Sequence, residues 1–448
     1  MRLIALAIML AVALAAAVVA SPPGVASVPR SSISRHVLEN GLTVIIKENP
    51  ASDLVVTEAL VRAGPRVEEA GQSGITFFVR GMLVRGTQRR SQAEIAQAIE
   101  SIGGQLGGGT LSDFTTLYAI TTSRHLDVGV ELVADLLTNA KFEPQDVETQ
   151  RRVALSRISQ NADQPLQRAV DLFNATLYPY HPYGQPVLGT PESTGALTRE
   201  QLLAFYRTYF TASNTVLIVA GNVTEAEALE KVKRAFAGMR SEGLPSKIRW
   251  LRVVERALAP LPSGPREVRE TRSIAAAWIA LGYMGVSIGH RDFTALRVLN
   301  AILGEGVTSR LWIEIREKRG LAYQVGSSLP MRAGPSHLRL SAGTDPPNLS
   351  AVVQGMLREV ERLRADAPPA DEVEKTKRGI IGRYALAREE LESQALYLGW
   401  YEVLGVGYDY DKRFPQEITR VTPADVLRVA RQYLGSYVLA VVAPGTAK

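Results

Sequence analysis

Short runs in which apolar and polar positions alternate mark strands along this chain, and longer runs with apolar residues three or four apart mark helices. Residues 41–46 (GLTVII) follow an Asn40-Gly41 turn and predict a strand, as do residues 117–120 (LYAI) and 338–342 (LRLSA). Helix starts carry capping chemistry. Ser91 and Glu94 make a capping box ahead of Ile95, Ile99 and Ile102, and Thr198 with Gln201 repeats it. Thr422 does the same, with Pro423 at the first helical position and Asp425 in the first turn.

The pattern occurs twice. PQDVETQRR at 144–152 is matched by PADEVEKTKR at 369–378, and LTREQLLAFYRTYF from Leu197 by VTPADVLRVARQYL from Val421. Tyr209 and Tyr433 correspond, 224 positions apart. Each of these later helices runs into an apolar strand, TVLIVAG from Thr215 and YVLAVVAPG from Tyr437. Two copies of a unit of about 220 residues explain this order of cap, helix and strand. The expectation is an α+β fold, a tandem duplication in which each unit is an antiparallel sheet with helices packed on one side. The units span 35–240 and 267–448, joined by a linker at 241–266 that holds Pro245, Pro260, Pro262 and Pro265.

Residues 1–20 (MRLIALAIMLAVALAAAVVA) put Arg2 before an unbroken apolar run that ends in small residues, the pattern of a secretory signal peptide. Residues 21–34 then form a polar, proline-bearing lead-in. The apolar run is also close to the shortest membrane span, so an uncleaved anchor is the alternative, and the only one that attaches this chain to a membrane. Either way the folded part is expected outside the cytoplasm, in the periplasm or an equivalent compartment. The 448 residues include no cysteine, which excludes disulfides, thiolate metal sites, thiol nucleophiles and N-terminal lipidation. The net charge of +6 is spread along the chain and is no nucleic-acid footprint.

From Gly74 the sequence reads GITFFVRGMLVRGTQRRSQAEIAQAIESIGGQL, and later stretches read HPYGQPVLGT from His181 and LNAILGEGVTSRLWIEIREKRGLAYQVGSS from Leu299. Taken in order, together with NGLTVIIKE at the first strand, they resemble the pitrilysin/insulinase-type metallopeptidases, which include the mitochondrial processing peptidase. The resemblance covers nearly all of the chain after the N-terminal segment. It implies an inverted zinc motif, H-x-x-E-H, followed by a distal glutamate ligand. Here the first histidine position is Phe77, the glutamate is Arg80, the second histidine is Gly81 and the distal ligand is Arg157. Zinc needs imidazole or carboxylate lone pairs, and arginine stays protonated in proteins. A slip in the distal alignment changes nothing, because no Asp or Glu occurs from Thr149 to Ala162. His36, His125, His181, His290 and His337 are at least 47 positions apart and form no helical metal pair. Read by themselves, Phe77 and Gly81 are a core aromatic and a packing glycine, and Arg80 and Arg157 are solvated or carboxylate-paired helix charges. No metal and no other cofactor is therefore expected in this chain.

The resemblance also gives roles to Arg316 and Tyr323, which in such chains hold the substrate across the chamber from the zinc. A guanidinium can bind a peptide carbonyl or carboxylate, and a phenol can donate to a developing oxyanion. The local reading is a basic helix C-terminus, with Arg316, Lys318 and Arg319 ahead of the stop at Gly320. The glycine-rich stretch 103–110 lacks the Gly-Lys-Ser/Thr of a phosphate loop and reads as a turn into an edge strand, the strand that pairs with extended substrate in related peptidases. The resulting expectation is a chain inactive alone: the non-catalytic, substrate-binding subunit of an extracytoplasmic zinc endopeptidase. Its partner would be a similar chain with an intact H-x-x-E-H and the zinc, and its substrate an unfolded peptide. The alternative is a scaffold or peptide-binding protein of the same fold with no part in proteolysis. Hydrolysis by another mechanism has no nucleophile–base arrangement to support it.

Overall fold

The structure is a computed structural model that describes residues 32–241 and 264–445. The expected signal segment, most of the lead-in and most of the linker lie outside the described residues. Eleven strands form two sheets among the described residues. The first holds β1 (Ile33–Val37), β2 (Thr43–Glu48), β3 (Leu54–Val61), β4 (Gln105–Gly107), β5 (Thr115–Thr122) and β6 (Thr215–Gly221), in the order β1-β2-β6-β3-β5-β4. The second holds β7 (Arg266–Arg272), β8 (Ala277–Met284), β9 (Gln324–Ser328), β10 (His337–Thr344) and β11 (Val438–Pro444), in the order β7-β11-β8-β10-β9.

Apart from β1, the two orders are the same. In each sheet the first and last long strands of the unit, β2 with β6 and β7 with β11, pair in parallel, and every other neighbour is antiparallel. The duplication read from sequence is therefore a duplication of topology. β1 begins at Ile33, inside the expected lead-in, and β7 begins at Arg266, the last expected linker residue. The capping boxes at Ser91, Thr198 and Thr422 all form.

Each sheet buries both faces, and the two faces are covered differently. In sheet one Val44, Ile46, Val55, Ala59, Leu217 and Val219 point toward that unit's own helices. The intervening Ile45, Val56, Leu60, Val216 and Ile218 point the other way, into a core shared with the second unit. That face is covered by the Leu391–Leu404 helix, which comes from unit two and packs on β3 and β6. Its counterpart in unit one, the Pro165–Leu177 helix, makes the reverse crossing. Ala169, Phe173 and Leu177, on one helical stripe, cover Ala280 of β8 and Val438, Ala440 and Val442 of β11. Own helices on one face is the arrangement the sequence predicts; the borrowed helix on the other face is what the sequence does not reveal.

Close approach makes glycine necessary at both crossings. A Cβ on Gly399 would lie 2.2 Å from Leu60 Cδ1 and 2.5 Å from Ile218 Cδ1. A Cβ on Gly282 of β8 would lie 2.4 Å from the Leu338 carbonyl oxygen and 2.8 Å from Phe173 Cζ. Polar contacts tie the units as well. The loop at His181 presents Tyr183, whose hydroxyl donates to Asp113 Oδ1 at 2.5 Å and accepts the Gly334 N–H at 3.2 Å. Arg332 lies 4.3 Å from the Tyr183 ring centroid, and Arg168 pairs with Glu270 at 2.6 Å.

The Leu338 carbonyl belongs to a strand and cannot yield as a side-chain tip can. Gly282→Val should therefore lower the unfolding free energy of the whole chain by about 1–3 kcal/mol, the usual range for overpacking. Urea denaturation would measure it, and an unchanged stability would mean that the sheet makes room for a side chain at this position.

Candidate functional site

The Ile75–Leu83 helix starts at Gly74, which has φ +88°. Its first N–H groups are satisfied from a distance: the Glu68 carboxylate accepts Gly74 N at 2.9 Å and Thr76 N at 3.0 Å. Phe77, Arg80 and Gly81 are spaced i, i+3, i+4 and share one helical face. The helix packs against the Pro144–Ala162 helix, which carries Arg157. The Arg157 guanidinium sits 5.8 Å from the Phe77 ring centroid, within cation–π range. The structure thus brings together Phe77, Arg80, Gly81 and Arg157, which sequence separates by as much as 80 positions.

Arg80 departs from the expectation of a solvated or carboxylate-paired charge. It is half-buried, and its Nη2 donates to the Gly108 carbonyl, just past edge strand β4. Its Nε is buried with no hydrogen-bond partner. Burial first, and then the neighbouring Arg157 guanidinium, hold Arg80 below the ordinary arginine value, while Tyr118 acts in the opposite direction. Arg157 is exposed, as expected. Gly81 is a packing glycine, also as expected, and the group packed on it is the side chain of Gln150. A Cβ at Gly81 would fall 2.0 Å from Gln150 Nε2. Gln150 is itself buried, and its Oε1 accepts from Arg85 at 3.3 Å. It was not singled out from sequence, although it lies seven residues before Arg157, two turns along the same helical face.

These side chains do not fit a zinc ion. The patch offers an aromatic ring, two guanidinium groups and a carboxamide lodged where a ligand side chain would need to stand. Among the described residues, no group of three or more His, Cys, Asp or Glu is placed to hold a metal.

Arg316 and Tyr323 lie in unit two. The segment Trp312–Glu317 is one turn of π-helix, and the Arg316 guanidinium stacks 4.1 Å from the Trp312 ring centroid. Gly320, at φ +59°, ends the turn as expected. Tyr323 stands just before edge strand β9, with its backbone N–H on Gly343 O at 2.9 Å. Its ring is 54% exposed, and its hydroxyl donates to Asp345, which raises the phenol above its ordinary pKa. Both side chains are therefore open to a ligand. Among the described residues no hydrogen bond, ion pair or ring contact joins either to Phe77, Arg80 or Arg157. What relates the two places is the duplication: β9 occupies in sheet two the edge that β4 occupies in sheet one. The glycine stretch 103–110 makes that first edge. Gly103 turns the chain at φ +66°, and Gly107 admits the Tyr118 ring, whose Cζ would lie 2.4 Å from a Cβ there.

Two family models match the chain. One described as insulinase (peptidase family M16) matches residues 43–191, and one described as the peptidase M16 inactive domain matches residues 196–380. An uncharacterized zinc protease of Mycobacterium leprae is 32% identical over 421 residues, which is 93% of this chain and 93% of that protein. The chain belongs to peptidase family M16, the insulinase family. An uncharacterized zinc protease of Streptomyces coelicolor is 29% identical over 90% of this chain and 88% of its own length. A protease of Helicobacter pylori shares the M16 fold seen here with a TM-score of 0.86 at 22% identity, over 93% of this chain and 100% of that one. An M16 inactive-domain structure from Pseudomonas fluorescens superposes with a TM-score of 0.83 at 19% identity, over 93% and 99% of the two chains. The pitrilysin/insulinase resemblance read from sequence is correct.

One further acid belongs to this region. Glu58 lies on β3 between Val56 and Leu60, on the face toward the Leu391–Leu404 helix, with Tyr118 of β5 as its register partner. A charged residue at an inward position of an alternating strand is the signal that could have found it. Burial pushes its carboxyl up to about 8. The unfolded chain ionises this group near the ordinary carboxyl value of 4.5 while the folded chain keeps the proton, so stability falls as pH rises from about 4.5 to about 8. Glu58→Gln should remove that loss. Its stability relative to wild type should grow by up to about 1.4 kcal/mol per pH unit across the window, read from urea denaturation at several pH values. A difference that does not change with pH would contradict the assignment.

Proposed function

We propose that this M16 chain is the non-catalytic, substrate-binding subunit of an extracytoplasmic zinc endopeptidase. The observation that carries the reading is the chemistry where Phe77, Arg80, Gly81 and Arg157 meet. A patch with two guanidinium groups, the half-buried Arg80 beside the exposed Arg157, repels a dication instead of binding it. On this reading the patch is a degenerate zinc site. Zinc and the water-activating carboxylate then belong to a partner, a similar chain that carries H-x-x-E-H. The inactive-domain description covers residues 196–380, the half with Arg316 and Tyr323, whereas the patch lies within residues 43–191, so this division rests on the chemistry of the patch itself.

In the complex this chain's own part is to position the peptide. Arg316 is exposed and can fork onto a peptide carbonyl or terminal carboxylate. Tyr323 is half exposed, and its phenol can turn from Asp345 toward a substrate oxygen. Both flank β9, an edge strand with one side unpaired in its sheet, where an extended peptide can add main-chain hydrogen bonds. Unfolded peptides are the matching substrates, because edge pairing requires extended backbone. The signal-like pattern of residues 1–20 is what supports a location outside the cytoplasm.

The test is coexpression with an M16 chain carrying H-x-x-E-H, followed by peptide hydrolysis. Arg316→Ala and Tyr323→Phe should each lower kcat/KM of the complex by at least about tenfold, with its zinc content unchanged. Unchanged kinetics in both variants would remove these residues from the substrate path. Purified alone, this chain should hold substoichiometric zinc. Stoichiometric zinc with chelator-sensitive hydrolysis by the chain alone would overturn the proposal, and failure of the two chains to associate would leave the scaffold reading.

A further inference from the structure

The turn that carries Arg316 is anchored on its inner side. Leu311 and Ile315 are fully buried there, and Gly355 of the Leu349–Ala365 helix leaves room for Ile315, whose Cγ1 would lie 3.2 Å from a Cβ at that glycine. One step along the chain, Trp312 and Arg316 repeat the same spacing of four on the outer side, with Trp312 half-buried and Arg316 exposed. The Lys318 N–H donates to Ile313 O at 2.9 Å, five residues back, which is the bond of a π-helix. A turn widened in this way is also flatter, so residues four apart come closer along its axis. The Arg316 guanidinium accordingly lies over the Trp312 indole, 4.1 Å from the ring centroid.

The ring is also what this arginine has in place of an acid. Among the described residues Arg316 makes no ion pair and its side chain no hydrogen bond. Of the two acids in its turn, Glu314 is held by Lys318 at 2.7 Å and Glu317 makes no ion pair among the described residues. Arg388 and Arg413 lie over tyrosine rings too, but Arg388 is paired with Asp411, and Arg413 with Asp409 and Glu417. For those two the ring adds to a charge already matched. For Arg316 it is the contact that limits the side chain. An exposed arginine otherwise spreads over many rotamers, and ordering them on binding costs affinity. A guanidinium held over a ring keeps its N–H donors for a further ligand.

We propose that Trp312 is a positioning residue of the peptide site. Its indole preorganises the Arg316 guanidinium, so that the N–H donors meet a peptide oxygen without the side chain having to be ordered first. Trp312 acts through Arg316 and not on the peptide. The inference rests on the subunit reading, which gives Arg316 its role, and goes beyond it by naming what makes that arginine effective.

The test is a double-mutant cycle in the coexpressed complex, read as kcat/KM for peptide hydrolysis at unchanged zinc content. Trp312→Leu and Trp312→Met keep apolar bulk and remove the ring, whereas Trp312→Phe keeps a ring. Two ring-free variants guard against a misfolded one, and the Tm of each variant chain checks folding. Each ring-free variant should lower kcat/KM by about three- to fivefold, and Trp312→Phe by less than about twofold. In an Arg316→Ala background the same ring-free changes should have no further effect, a result that a merely structural role for Trp312 would not give. Ring-free variants as active as wild type, a Phe variant as damaged as Leu, or equal losses with and without Arg316 would overturn the inference and leave the subunit reading in place. Wild-type kinetics in Arg316→Ala would overturn it together with the role given to Arg316.

Discussion

The exchange of one helix between units is the constraint from which the rest of the architecture follows. Each sheet has two apolar faces, and each unit's own helices can cover only one of them. The Pro165–Leu177 helix closes the far side of sheet two, and the Leu391–Leu404 helix closes the far side of sheet one. Removing either unit would uncover Ile45, Val56, Leu60 and Ile218 on one side, or Ala280, Val438 and Val442 on the other. At about 25 cal/mol per Å² of apolar surface, losing either cover would take away a large part of a domain's stability. The arrangement is that of a two-fold, domain-swapped pair whose copies have been joined into one chain. With the central strands covered on both faces, backbone is left unpaired only along the outer strands, β1 and β4 in sheet one and β7 and β9 in sheet two, among the described residues.

At the β4 edge, the helices that meet are built as such helices are built anywhere: a distant carboxylate cap at Glu68, an i, i+3, i+4 face and close packing at Gly81. What is particular is the chemistry on that scaffold. Arg80 uses a half-buried guanidinium to hold the Gly108 carbonyl, and Arg157 rests on the Phe77 ring. The helix pair is ordinary in its packing while the charge it carries is positive, so the frame does not dictate the groups mounted on it. This is the general separation of fold from function, seen at one helix pair.

Much of the fold was legible because local rules and tertiary structure agree. Ser91, Thr198 and Thr422 cap helices for reasons that need no distant partner, and the repeat at Tyr209 and Tyr433 needs only self-comparison. The crossing helices were not legible: the stripe of Ala169, Phe173 and Leu177 states that a face is buried but not which sheet buries it. Arg80 misled for a related reason. Arginine on a helix face is usually solvated, and only the neighbouring edge strand, distant in sequence, covers this one. The convergence of Phe77, Arg80, Gly81 and Arg157 was legible through the family resemblance alone, since no pattern in the residues themselves links positions 77 and 157. Gln150 was within reach, because a buried polar residue two turns from Arg157 shares its face.

The contact between Gly81 and Gln150 limits how this patch can vary. A histidine placed at 81 alone would strike the Gln150 amide, and a glutamate placed at 157 alone would lie beside the Arg80 guanidinium. Sterics resist the first change, and the second exchanges one guanidinium for a partner of the other. The two helices therefore tolerate substitution here only in concert, each side chain setting what its neighbour can be.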